Sequence, residues 1–119
     1  MLNEDQAIAY YYSLRPIGFH DLIRLEIRQT VSFGAWDTTL EVELRAVDKL
    51  DTRRLLLFFA GVRNLKLIPS ECSIIHFSSI EVYSIAERGW EDINYKVFES
   101  EQDAELSFIC REFYAEIHP

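Results

Sequence analysis

The stretch Leu55-Leu56-Leu57-Phe58-Phe59-Ala60-Gly61-Val62 decides the fold. Residues 55–60 are apolar without the polar alternation of a half-wet strand, which predicts a central strand covered on both faces. Gly61 interrupts a pattern that Val62, Leu65 and Leu67 carry on. One strand over Arg53–Leu67, with a bulge or bend at its middle, is therefore expected. Pro69-Ser70-Glu71 ends it, and Ser70 can cap a short helical turn.

Two cleaner alternations precede this strand. Leu40, Val42, Leu44 and Ala46 alternate with Glu41, Glu43 and Arg45, while Ile23, Leu25, Ile27 and Val31 are spaced against Arg24, Glu26 and Arg28. Both predict strands that are wet on one face. Gly34 marks the loop between them, and Asp48, Lys49 and Asp51 mark a turn before Arg53. On the other side, Ile80, Val82, Tyr83 and Ile85 form a fourth strand that ends at Glu87-Arg88-Gly89-Trp90. Ile93, Tyr95 and Val97 form a fifth, and Leu106, Phe108 and Cys110 open a sixth that runs through Phe113 and Ala115 to Ile117. The polar segment 99–105 reads as the turn between the last two.

At the N-terminus the period is helical. Asn3 and Gln6 have the form of a capping box, Ile8, Tyr11 and Tyr12 share a face, and Pro16 stops the run. Residues 1–16 are thus a helical segment with its helix over about 4–14. Strands joined by short turns without helices between them predict an antiparallel meander over 19–117. The whole chain, 1–119, is expected to be one α+β, mainly β domain of about six mostly antiparallel, bent strands with a short N-terminal helix.

Composition agrees. The 119 residues are 49% hydrophobic and 27% charged, a globular profile. At this length folding buries roughly two-thirds of the chain's surface without a metal or disulfide staple. Eight Phe, six Tyr and two Trp give bulky core material. The acidic N-terminal residues do not resemble a secretory signal, and the six-residue apolar run is far short of the roughly 20 residues a membrane-spanning helix needs. Cys72 and Cys110 fit no metal spacing and read as reduced, partly buried thiols, so a cytoplasmic location is expected.

The net charge of −8 argues against sequence-independent nucleic-acid binding, and it is unevenly placed. Residues 1–70 hold nine acids and nine bases; residues 71–119 hold eleven acids against Arg88, Lys96 and Arg111. Such a region speeds encounter with a basic partner, or simply keeps a sheet soluble.

No catalytic constellation stands out. His20 and Asp21 are adjacent and point to opposite faces of a strand, so a structural role for His20 is preferred. Glu41 and Glu43 share a face with each other, and ion pairs with Arg24, Arg28 and Arg45 explain them without chemistry. Glu99, Glu101, Asp103 and Glu105 mimic a calcium loop but lack its glycine and closing acid. Cys110 falls in phase with Leu106 and Phe108 and reads as a packed thiol. No Gly-rich phosphate loop, GxSxG or HExxH occurs. No enzyme, metal or cofactor is expected.

Four segments together are similar to small bacterial proteins grouped as immunity protein 50 and its relatives. They are Phe19-His20-Asp21, Leu57 to Val62, Glu87 to Val97, and Leu106 to Phe113. The resemblance covers about residues 19–113 and implies a β-rich domain without catalytic residues that neutralises a toxin by binding it. It leads to a partner-binding role in which a basic toxin meets Trp90, Glu91, Asp92, Glu99, Glu101, Asp103 and Glu105, with Trp90 as anchor. The other expectation is a self-assembling, homodimeric module built on open sheet edges, with neither nucleic acid nor membrane as a partner.

Overall fold

The computed structural model describes residues 4–68, 77, 80–85, 93–99 and 105–119. Helix α1 (Glu4–Ser13) lies where the apolar spacing placed it. Ala7 and Tyr11, one turn apart, are its buried face. Arg15 adopts a left-handed backbone (φ 56°) and Pro16–Gly18 form a 3-10 turn, so the proline does end the helix. Asn3 and Ser70, the two proposed caps, lie outside the described residues.

Two four-stranded antiparallel sheets follow. The first has β1 (Phe19–Ser32), β2 (Ala35–Ala46), β3 (Arg54–Ala60) and β8 (Glu112–His118), in that order. The second has β4 (Arg63–Ile68), β7 (Glu105–Cys110), β6 (Tyr95–Glu99) and β5 (Glu81–Ser84). The six strands read from the sequence become eight because two of them are creased. Only Gly61 and Val62 separate β3 from β4, and only Arg111 separates β7 from β8. Each half of one long strand pairs with a half of the other, β3 with β8 and β4 with β7.

The crease has a local cause. Gly61 has φ +66°, and a Cβ there would stand 2.7 Å from the Cβ of Arg111. The backbone N–H of Gly61 donates to Asp37 Oδ1 at 3.1 Å. The N–H of Val62 donates to the Thr38 carbonyl, and that of Arg111 to the Ala60 carbonyl, both at 3.0 Å. The guanidinium of Arg111 reaches back to Asp37 at 3.4 Å. Donors freed by leaving one ladder are thereby taken up at the fold line.

One core fills the space between the sheets. Leu40, Val42, Leu44, Leu55, Leu57 and Phe59 from the first sheet join Val82, Val97, Leu106, Phe108 and Cys110 from the second. Phe113 is the hub: Phe59 stacks on it at 5.6 Å, and Tyr11 and Tyr95 meet it edge-on at 5.5 Å. The helix is bolted to β5 by its tyrosines. Tyr11 donates its hydroxyl to the Ile80 carbonyl at 2.6 Å. Tyr12 donates to Glu81 at 2.9 Å and accepts from the Val82 N–H at 3.1 Å.

Three expectations are revised. Instead of one meander in chain order, β1–β2–β3 run inward from one edge and β5–β6–β7/β8 run inward from the other, meeting at the creased pair. The apolar run 55–60 is central but not covered on both faces: Leu56 and Phe58 are only half-buried, with Phe58 against Tyr114. Trp36, counted as core material, is 72% exposed.

Candidate functional site

Two surfaces are candidates for partner binding. The acidic C-terminal one is divided by the structure. Trp90, Glu91, Asp92, Glu101 and Asp103 lie outside the described residues. Glu99 belongs to β6 rather than to a turn and is 2% exposed, so its carboxylate is not on the accessible surface. Glu105 begins β7, half-buried, with Lys66 at 3.5 Å. Burial, helped by the nearby charges of Tyr12, Glu81 and Glu99, pushes the Tyr11 phenol well above its ordinary range. Glu99 therefore belongs to the interior rather than to a binding surface.

The second surface was not singled out from the sequence. β1 pairs with β2 up to Ser32 opposite Ala35, but β3 pairs with β2 only from Thr39 to Arg45. Residues 31–36 project past the last backbone bond to the crease. Phe33 (φ 51°) and Gly34 (φ 78°) form a two-residue turn of the primed type that suits a twisted hairpin. A phenylalanine at positive φ is rare, and this one is completely exposed. The register puts Val31 opposite Trp36 and Ile27 opposite the core residue Leu40, so all four share the core-side face. Ile27 and Val31 are nevertheless 49% and 55% exposed. The available signal was two aromatics bracketing Gly34, where a turn ordinarily carries polar residues.

The remaining candidates resolve as structure. Asp21 pairs with Arg45 at 3.1 Å and not with His20, whose Nε2 is buried with no hydrogen-bond partner. Glu41 binds Arg24 at 2.9 Å and Glu43 binds Arg54 at 3.4 Å, so ion pairs do account for that face. Arg24 also bridges to Glu26, which stands directly opposite Glu41. Cys110 is a free, fully buried thiol, and burial pushes it up to about 12 despite the neighbouring Arg111; Cys72 lies outside the described residues. Among the described residues no three His, Cys, Asp or Glu side chains could hold a metal, and no helix is long and apolar enough to cross a membrane. A depression of about 210 Å³ beside Asp21, Arg45, Lys49 and Asp51 is smaller than typical ligand pockets of roughly 300 Å³ or more.

The family model described as Immunity protein PIM8 matches residues 3–116. The chain belongs to the PIM8 immunity protein family. The coarser part of the resemblance, an immunity protein, therefore stands, while the family matched is PIM8 and not immunity protein 50. The PIM8 match also takes in the N-terminal tyrosine helix, which the resemblance over 19–113 left out. No curated protein and no solved structure matches. An immunity protein has a toxin as its protein partner and typically inhibits it without chemistry of its own.

Proposed function

We propose that this PIM8 family member is a non-enzymatic, cytoplasmic inhibitor that binds a basic protein toxin, with its acidic C-terminal part drawing the toxin in. Family membership across residues 3–116 is the observation that carries the reading. The charge split supports the electrostatic half, because the whole net charge of −8 falls within residues 71–119. Of the three bases there, Arg111 is already engaged by Asp37 and Glu112 at the crease. Exposed Trp36 joins Trp90 as a candidate aromatic anchor.

The test is capture of partners from the native host's lysate at low and high salt, with mass spectrometry of what is retained. A basic protein released by salt is expected. Glu91→Lys, Glu101→Lys and Asp103→Lys together should then slow its association about tenfold at low salt and flatten the salt dependence. Glu99 is left alone, since a lysine there would be buried. Unchanged affinity and unchanged salt dependence in the triple variant would remove the acidic region from the mechanism, and a captured toxin that is itself acidic would overturn the electrostatic reading.

A further inference from the structure

We infer that the outer edge of β1, from Arg24 to Thr30, pairs with β1 of a second copy of this chain, antiparallel, about a two-fold axis at Ile27. This is independent of toxin binding. β1 is 14 residues long and stands at the end of its sheet. Among the described residues no further strand pairs with its outer side, and Phe77 donates its N–H to the His20 carbonyl near its start at 2.9 Å. An exposed edge of this length is a template for another strand unless it is blocked. Two irregularities, between Phe19 and Asp21 and between Leu22 and Arg24, lie near its start and leave Arg24 to Ser32 regular.

The side chains select both the occupant and the register. In an antiparallel pair, directly opposite residues share a face, so an axis centred on a residue keeps both apolar faces on one side. Centred at Ile27, Ile27 meets its own copy, Glu26 meets the second copy's Arg28, and Arg28 meets the second copy's Glu26. Arg24 falls opposite Thr30, without a like charge. Centring at Glu26 opposes Glu26 with itself and Arg24 with Arg28, and centring at Arg28 opposes Arg28 with itself; like charges face each other in both. Centring at Leu25 also matches charges but brings the irregularity opposite Ile27, inside the ladder. The half-exposed Ile27 then gains apolar cover from its own copy, and the regular ladder runs from Arg24 to Thr30, with the irregularity falling beyond it, opposite Val31. Glu26 and Arg28 already touch at 2.6 Å within one chain, so each keeps a partner when monomeric. The interface is isologous and of the small class, so association in the micromolar range is expected.

Light scattering coupled to size exclusion reads the mass across that range. The wild-type chain should rise with concentration from 14.0 kDa toward twice that value. E26R and R28E each place like charges opposite one another and should stay monomeric, with association weakened at least about tenfold. Mixed in equal amounts, they should form a heterodimer, because one chain then carries arginine at both positions and faces a chain carrying glutamate at both. The double swap E26R/R28E in one chain should dimerise like wild type, and circular dichroism checks that each variant is folded. A wild-type chain that stays at 14.0 kDa throughout, single variants that still dimerise, or a mixture that stays monomeric would each overturn the inference.

Discussion

Replacing Gly61 with alanine tests the crease that organises both sheets. Two costs arise. A non-glycine residue held at φ +66° loses about 1 kcal/mol relative to its preferred backbone regions. The new methyl would also stand 2.7 Å from the Cβ of Arg111, an atom fixed to the backbone that cannot swing aside. Overpacking of this kind typically costs about 1–3 kcal/mol, so the total is roughly 2–4 kcal/mol. At about 2.1 cal/mol/K per residue, a chain of 119 residues loses roughly 4 °C of Tm per kcal/mol, so a fall of about 8–16 °C is expected. Thermal and urea unfolding followed by circular dichroism measure it, and two other glycines calibrate the terms. Gly34 has φ +78° but open space around its Cβ position, so Gly34→Ala should cost only about 1 kcal/mol. Gly18 has neither constraint, and Gly18→Ala should be neutral or slightly stabilising. Arg111→Gly in the Gly61→Ala background removes the colliding Cβ and should recover part of the loss. If Gly61→Ala costs no more than Gly34→Ala, the steric account of the crease is wrong.

Tyr11→Phe removes the hydroxyl from the Ile80 carbonyl deep in the helix–sheet contact and should destabilise by about 1–2 kcal/mol in urea titration, while Tyr12→Phe at the half-exposed neighbour costs less. In a Cys72→Ser background, Cys110 should be silent to a thiol reagent in the folded protein at mildly alkaline pH and react fully on unfolding, because its thiol is pushed up to about 12 by burial. Arg53 holds the Asp51 carboxyl down at about 2, below the ordinary 3.8, so any stability it supplies is complete above the unfolded value and lost as pH falls toward 2. A carboxyl-carbon NMR titration should place its midpoint near 2, and Arg53→Ala should raise it toward 3.8.

The sequence disclosed the elements more fully than their arrangement. Alternation at Leu40 to Ala46 located β2 because every second residue there is fully buried or nearly so. Gly61 announced a bend, since only glycine tolerates both that φ and that approach of Arg111. The matching break at Arg111 left no such mark: Arg111 is not at positive φ, so its residue type does not announce the turn. Strand order was invisible as well, because β5, the next described strand after β4, stands at the far edge of the second sheet and not beside it. The candidate surface divides similarly. Glu99 looked like part of a polar turn from its acidic neighbours, yet one more residue of β6 pairing, Glu99 with Leu106, buries it. Ile27 and Val31 have the period of core residues, yet they are about half exposed.

The creased pair also governs when the molecule can exist during its own synthesis. β3 finds one neighbour in β2, but among the described residues β4 has none until residues 105–110 arrive, and the other side of β3 gains its partner only with residues 112–118. A ribosome that has finished β6 carries two strand edges with no ladder between the halves, and contacts of long sequence separation close last. Residues 105–118 therefore act as the closing stitch, and the binding surface is complete only after that stretch has emerged.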